Sequence, residues 1–248
     1  MLYFALGFVV LLGFLAGILK YRQARALLVL AYEKTGKAPK NSRLKDEWTS
    51  PKKFKKTLVW LLAHGFTPVR TAQGQMPAKP VLLVFMGGYR AFLTDIFPIL
   101  QEYKAPAALF LPTNCIGTYN QWQNPHKEPW QNLLTEKELK MLAKSGLISF
   151  GALALNGEDL SVLSAEKAAY LCRESVYRLT TQLGLKAEGF ACYPALDKIK
   201  NFQTVVPQNL PVFIDNPAAN SLTEKSILNV FFPQKHPWKT AWNLFSRR

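Results

Sequence analysis

Residues 81–117, VLLVFMGGYRAFLTDIFPILQEYKAPAALFLPTNCIG, decide how the rest of the chain is read. Val81–Phe85 is an unbroken apolar run of strand length, Gly87-Gly88 supplies a tight turn, Leu93–Tyr103 reads as a helix, and Ala107–Pro112 is a second buried run. Strand, helix and strand in that order make a βαβ unit.

The chain has 248 residues, 49% of them hydrophobic and 19% charged, enough for one well-buried core once a terminal segment is set aside. Cys115, Cys172 and Cys192 are scattered and not spaced as a metal knuckle, so they read as ordinary buried thiols. The formal charge of +15 is unevenly spread: residues 20–56 hold twelve Lys or Arg against Glu33, Asp46 and Glu47, a local +9. A nucleic-acid role is not expected, because the aromatic residues are not interleaved with these charges as a stacking platform.

Ahead of that block, Leu2–Leu19 is free of charge and, at about 1.5 Å per residue, just spans a hydrocarbon core of about 30 Å. The expected organisation is a transmembrane anchor over 1–19, a basic juxtamembrane helix (Ala26–Lys34) and linker over 20–49, and a globular domain over 50–248. A secretory signal is disfavoured, since the basic residues follow the apolar run and Leu15-Ala16-Gly17 is a poor cleavage site. Lysines of the block, with Lys52, Lys53, Lys55 and Lys56, could rest on anionic headgroups or form a solvated face. Lys20, Arg22 and Arg25 directly after the span place the domain in the cytoplasm by charge bias.

The globular part opens with SPKKFKKTLVWLLAHGFTPV over 50–69, a helix with Pro51 in its first turn, a stop at Gly65 and a short strand. Further elements are a helix capped by Thr135, a strand over Leu147–Leu155, an amphipathic helix over Ser164–Leu183, and strands over Ala187–Tyr193, Pro211–Asp215 and Ile227–Phe232. Alternating strands and helices give a parallel α/β architecture.

Residues 50–117 resemble the polysaccharide deacetylase family, metal-dependent enzymes that remove acetyl groups from N-acetylated glycans. In that family S-P-x-x-F-x-x-x-L-x-x-L-x-x-x-G-[YF]-x-P-V precedes a strand ending in T-F-D-D-G-Y, and the next strand arrives as P-A-T-F-F. The resemblance implies an irregular, incomplete TIM-like barrel with its pocket at the C-terminal ends of the strands. It also implies an extracytoplasmic domain, against the charge bias. An upstream start with further basic residues would remove the conflict, and the side stays open.

In the family the first Asp is the general base, and the second binds a divalent metal such as zinc together with two His four residues apart. Carried onto VFMGGY, the base position is Met86 and the ligand Asp is Gly87. Counting through GALALN puts the two His on Ala152 and Asn156, poor replacements for metal ligands. The third motif reads FACYPAL over 190–196, without the family's Arg and Gly. His64, His126 and His236 stand apart from one another and read as structural or surface residues. No catalytic residue and no metal or other cofactor is therefore assigned.

The residues left at the implied mouth are Tyr89, Arg90, Asn114, Trp122, Asn156 and Tyr193, with Trp130 in the same long loop as Trp122. Aromatic faces with a few amide or guanidinium donors suit sugar rings, although Tyr89 and Tyr193 also read as packing of the barrel mouth. The expectation is a membrane-anchored, deacetylase-like module that lacks the family's activity. Its partners would be a glycan or an envelope-biosynthesis protein. The other reading is a divergent hydrolase of N-acetylated glycans using Asp95, Glu158, Asp159 or Asp197.

Overall fold

The computed structural model describes residues 26–192, 205–207, 209–215, 220–221 and 227–230. The expected anchor over 1–19 lies outside the described residues, as do Tyr193, Asp197 and His236. Among the described residues no helix is long and apolar enough to cross a membrane.

Eleven described strands are β1 (Ala26–Tyr32), β2 (Lys34–Thr35), β3 (Trp48–Thr49), β4 (Thr67–Val69), β5 (Pro80–Met86), β6 (Ala107–Leu111), β7 (Ile148–Leu153), β8 (Ala187–Cys192), β9 (Val212–Asp215), β10 (Asn220–Ser221) and β11 (Ile227–Val230). The α-helices are α1 (Pro51–Ala63), α2 (Phe97–Glu102), α3 (Glu136–Lys144) and α4 (Ala165–Tyr177). The main sheet runs β10-β1-β5-β6-β7-β8-β9-β11, with β2 and β3 paired separately. Every neighbour in it pairs in parallel except β10, which runs antiparallel to β1. Curvature brings β11 alongside β1, so the sheet is an α/β half-barrel.

Local chemistry explains the helices. Ser50 accepts a hydrogen bond from the Lys53 amide, Pro51 occupies the first turn, and Phe54, Leu58 and Leu61 face the core. Each of those three contributes about 1.5–3 kcal/mol on burial. Thr135 and Glu138 close a reciprocal capping box on α3. A turn of π-helix, Phe92–Ile96, leads into α2, so the expected helix over Leu93–Tyr103 is present in two parts.

The juxtamembrane helix is corrected. Ala26–Tyr32 is a strand inside the barrel, in parallel register with β5 from Leu28↔Val81 to Tyr32↔Phe85. A strand buried on both faces is apolar throughout, and periodicity does not separate it from a buried helix. Without β1, one edge of β5 would expose a row of unpaired backbone groups, because β4 and β6 share the opposite edge. The globular unit therefore includes 26–49, where a linker was expected. Lys34, counted among the lipid-facing lysines, is buried and paired with Glu47.

Alternation along each strand sorts side chains into two layers. Leu28, Leu30, Val81, Leu83, Leu109, Phe150 and Ala152 face the helices. Leu27, Val29, Leu82, Val84, Met86, Ala108, Phe110, Leu153, Ala191 and Phe213 fill the barrel. The rings of Phe110 and Phe213 meet edge-on at 4.8 Å. They lie over Gly151 and Gly189: a Cβ on Gly151 would stand 2.3 Å from Phe110 Cε1, and one on Gly189 would stand 2.6 Å from Phe213 Cε2.

Two outcomes are expected. A chain beginning at Asn41 lacks β1 and should lose the cooperative thermal transition that a chain beginning at Ala24 retains, as followed by circular dichroism. Gly151→Ala should lower stability by about 1–3 kcal/mol in urea titration, the cost of overfilling a packed interior.

Candidate functional site

All parallel strands end at one mouth. Met86 closes β5, Leu111 closes β6, Leu153 closes β7, and Glu33 follows directly on β1. The tight turn after β5 is held by the Gly87 amide donating to Phe110 O at 3.0 Å, with Gly87 at φ +89°.

The loop over 112–135 returns across this mouth. The Leu134 amide donates to Gly88 O and the Arg90 amide to Asn132 O, both at 2.9 Å. Farther out, Glu128 is fully buried and accepts from Trp48 Nε1 at 2.9 Å and from Ser42 Oγ. That one carboxylate joins the loop to the segment carrying β3.

A cavity of about 250 Å³ opens there, lined by Glu33, Lys34, Glu47, Met86, Gly87, Tyr89, Trp122, Gln123, Leu153 and Gly157. Tyr89 is buried, between Trp48 (6.3 Å between centroids) and Trp122 (6.1 Å, inclined at 64°). The two glycines of the wall lie under these rings. A Cβ on Gly87 would meet Tyr89 Cε2 at 2.7 Å, and one on Gly157 would meet Trp122 Cδ2 at 3.1 Å.

One part of the motif count is therefore corrected. Ala152 is fully buried on the helix side of β7, and Asn156 does not line the cavity. The pair four residues apart that faces Met86 and Gly87 is Leu153 and Gly157. A slip of one residue in a strand reverses every facing, and this count slipped by one.

The candidate residues divide. Tyr89 and Trp122 share the cavity wall. Arg90 points elsewhere: its Nε donates to Glu138 Oε1 at 2.7 Å, and the residue lines a separate groove with Trp48 and Gln131. Asn114 donates to Asn156 Oδ1 at 2.7 Å and accepts from Arg178 Nη1 at 2.8 Å, a polar chain anchored on the α4 side. Trp130 is exposed, with its Nε1 donating to Gln123 O at 2.9 Å.

The residues of the hydrolase reading have local structural partners. Glu158 accepts from the Leu155 and Asn156 amides at 3.1 and 2.7 Å, and Asp159 accepts from the Ser161 amide at 2.9 Å. Asp95 accepts from Thr94 Oγ1 at 2.8 Å. His64 stacks on Trp60, and His126 lies exposed in the loop.

Glu33, Lys34, Glu47 and Gln123 were not anticipated. Burial pushes the Tyr89 phenol well above its ordinary range; the Asn120 hydrogen bond opposes this, and the negative charges of Glu33, Glu128 and Glu47 add to it. Tyr89 is thus a neutral hydroxyl in an acidic surrounding.

The donor set does not fit a divalent metal. Gly87 and Gly157 carry no side chain, Leu153 is apolar, and a thioether such as that of Met86 is a weak ligand for hard or borderline ions. Of the described lining residues only Glu33, Glu47, Gln123 and the neutral Tyr89 carry side-chain oxygens, and Glu47 is engaged by Lys34. Among the described residues no group of three His, Cys, Asp or Glu is gathered.

Parallel half-barrel, strand-end mouth and crossing loop define the class to which the sequence is also matched. Residues 73–208 fit the family model described as polysaccharide deacetylase, and the chain belongs to that family. It is 28% identical over 148 residues to the poly-beta-1,6-N-acetyl-D-glucosamine N-deacetylase of Staphylococcus epidermidis, covering 53% of this chain and 49% of that protein. With the protein of the same name from Staphylococcus aureus strain MSSA476, identity is 26% over 174 residues, covering 63% and 56%. The chain thus spans about half the length of these curated relatives. Among solved structures, IcaB from Ammonifex degensii superposes with a TM-score of 0.66 at 20% identity, covering 89% of this chain and 97% of that one. The putative polysaccharide deacetylase BA0330 from Bacillus anthracis gives 0.71 at 17%, covering 89% and 69%.

Cys115 packs beside Tyr89 and Leu133 behind the wall, with Trp122 against the cluster. Burial first, and the charge of Glu158 second, push its thiol up to about 11. The same two causes, in the same order and with Arg173 opposing, push Cys172 up to about 12. Since the thiolate is the reactive form, both should resist iodoacetamide at pH 8 in the folded protein and react in 6 M guanidinium. Peptide mapping of the labelled chain reads the result.

Proposed function

We propose that this chain is a glycan-binding member of the polysaccharide deacetylase family that does not perform the family's metal-dependent deacetylation. The observation carrying this is the pair Gly87 and Gly157, each with an aromatic ring lying where a side chain would leave the backbone. With no side chain at Gly87 or Gly157 and an apolar one at Leu153, the described part of the mouth offers no ligand set by which a metal would activate water. A mouth walled by Tyr89 and Trp122 can hold a sugar ring by its apolar face.

The relatives' names point to polymers of β-1,6-linked N-acetylglucosamine as the ligand class to try first. The apolar segment over 1–19 would tether the module to a membrane, among the enzymes and partners of envelope polysaccharide metabolism. The charge bias favours a cytoplasmic domain and the family an extracytoplasmic one.

The full-length chain in non-ionic detergent is to be assayed for acetate release from β-1,6 and β-1,4 N-acetylglucosamine oligomers with added zinc, cobalt or manganese, and for binding of the same oligomers and their deacetylated forms by calorimetry. Binding without acetate release is expected, weakened about tenfold or more in Trp122→Ala, the equivalent of about 1.4 kcal/mol. Metal-dependent acetate release would overturn the reading in favour of a divergent hydrolase. Failure to bind any of these oligomers would also overturn it and direct the search to a protein partner.

A further inference from the structure

The connections that lead into β5, β6, β7 and β8 all lie at the end of the barrel opposite the mouth, because these strands are parallel. Each brings one exposed lysine there: Lys79 directly before β5, Lys104 shortly before β6, Lys144 at the end of α3 before β7, and Lys186 directly before β8. Arg70 joins them. The loop over 70–79 crosses this end, with Ser149 Oγ on β7 donating to Arg70 O at 2.6 Å and Ala72 buried in the barrel interior.

Acids are missing from the same stretches. Residues 64–66, 70–79, 103–106, 144–147, 183–187 and 209–211 contain no Asp or Glu. Glu188, the second residue of β8, is shared between Lys186 at 2.9 Å and Arg70 at 3.9 Å, and Glu102 at the end of α2 is paired with Lys55 at 2.8 Å. The residues outside the described ones hold ten Lys or Arg against only Asp197 and Glu224, so even both acids placed here would leave this end positive. Lys20, Arg22 and Arg25 are among those ten, in the short stretch that feeds β1 at the same end.

We infer that the end of the barrel opposite the mouth is an electrostatic docking surface for an anionic lipid bilayer, with Lys79, Lys104, Lys144 and Lys186 set on its phosphate headgroups. Four lysines spread over four connections form no pocket for a discrete ligand. A fluid surface of phosphates needs none, and a flexible stem carrying a point charge suits it. The inference rests on the tethered arrangement of the proposed function and adds to it. A tether alone leaves the barrel free to turn about its linker, whereas lysines gathered at one end select one orientation. The attraction acts within a Debye length, about 10 Å at 0.1 M salt, and is therefore sensitive to salt.

The test is lysine acetylation of the full-length chain, inserted from detergent into preformed vesicles of phosphatidylcholine alone or with about one-third phosphatidylglycerol, and read by peptide mapping. On the anionic vesicles Lys79, Lys104, Lys144 and Lys186 should be labelled about threefold or more slowly than on the neutral ones, while the exposed Lys37, Lys40 and Lys127 near the mouth are labelled equally on both. Salt at about 1 M, which shortens the Debye length to about 3 Å, should remove the difference. The double variant Lys104→Glu, Lys144→Glu should remove it for Lys79 and Lys186 as well, with the thermal midpoint unchanged. Equal labelling on the two vesicles, or protection of the mouth lysines instead, overturns the inference and leaves the tether standing. The same protection produced on neutral vesicles by soluble polyphosphate would also overturn it, in favour of a general polyanion surface. Flotation separates the two readings: a chain that does not float with neutral vesicles has no tether, and one that floats with neither kind overturns both.

Discussion

The barrel depends on two rings standing over bare backbone. Phe110 and Phe213 fill the interior only because Gly151 and Gly189 present no side chain beneath them. The closeness is also recorded in the register of β8, which advances from Ala187 to Phe190 while β7 advances only from Phe150 to Ala152. The extra residue sits beside Gly189, bends the strand and helps the sheet to curve. Without curvature β11 would not reach β1, and the mouth would be an open edge instead of a cavity.

The same device recurs at the mouth. Tyr89 lies over Gly87 and Trp122 over Gly157, so this wall of the cavity is aromatic. Large apolar faces offer few directional donors, and stacking and charge are what the described residues bring to a ligand there. The loop bearing Trp122 is fixed by the buried Glu128, whose two hydrogen bonds come from residues more than seventy positions away in sequence. A carboxylate far from the chemistry thus sets the position of a ring that lines the cavity.

Much of the fold was legible in the chain. The apolar runs of β5, β6 and β7, Pro51 in its helix and the Thr135–Glu138 cap are local signals, and local signals survive folding. ALLVLAY was not legible, because a short apolar run carries no period and the neighbouring basic residues suggested a membrane surface instead. That single misreading hid the ionic side of the cavity: Glu33 follows directly on β1, so taking β1 for a helix removed Glu33, Lys34 and Glu47 from the mouth. Tyr89 and Trp122 were legible as aromatic residues near a strand end, but their seats on glycine are tertiary facts. Asn114, Asn156 and Arg90 were drawn in by proximity in sequence, and the chain from Asn156 through Asn114 to Arg178 just past α4, and the Arg90 pair with Glu138 on α3, turn them elsewhere.

Parallel strands give the barrel a direction. The chain enters β1 at the end opposite the mouth, and in the tethered arrangement only six residues, 20–25, separate that entry from the apolar segment. Six residues reach about 20 Å when fully extended, so the blunt end of the barrel would be held against the bilayer. The seven residues of β1 then set the mouth about 23 Å farther out. In that proposed arrangement its opening would look away from the lipid surface. A sugar still attached to a membrane carrier would have to bend back to reach it, whereas a polymer strand passing through the surrounding matrix would meet it directly.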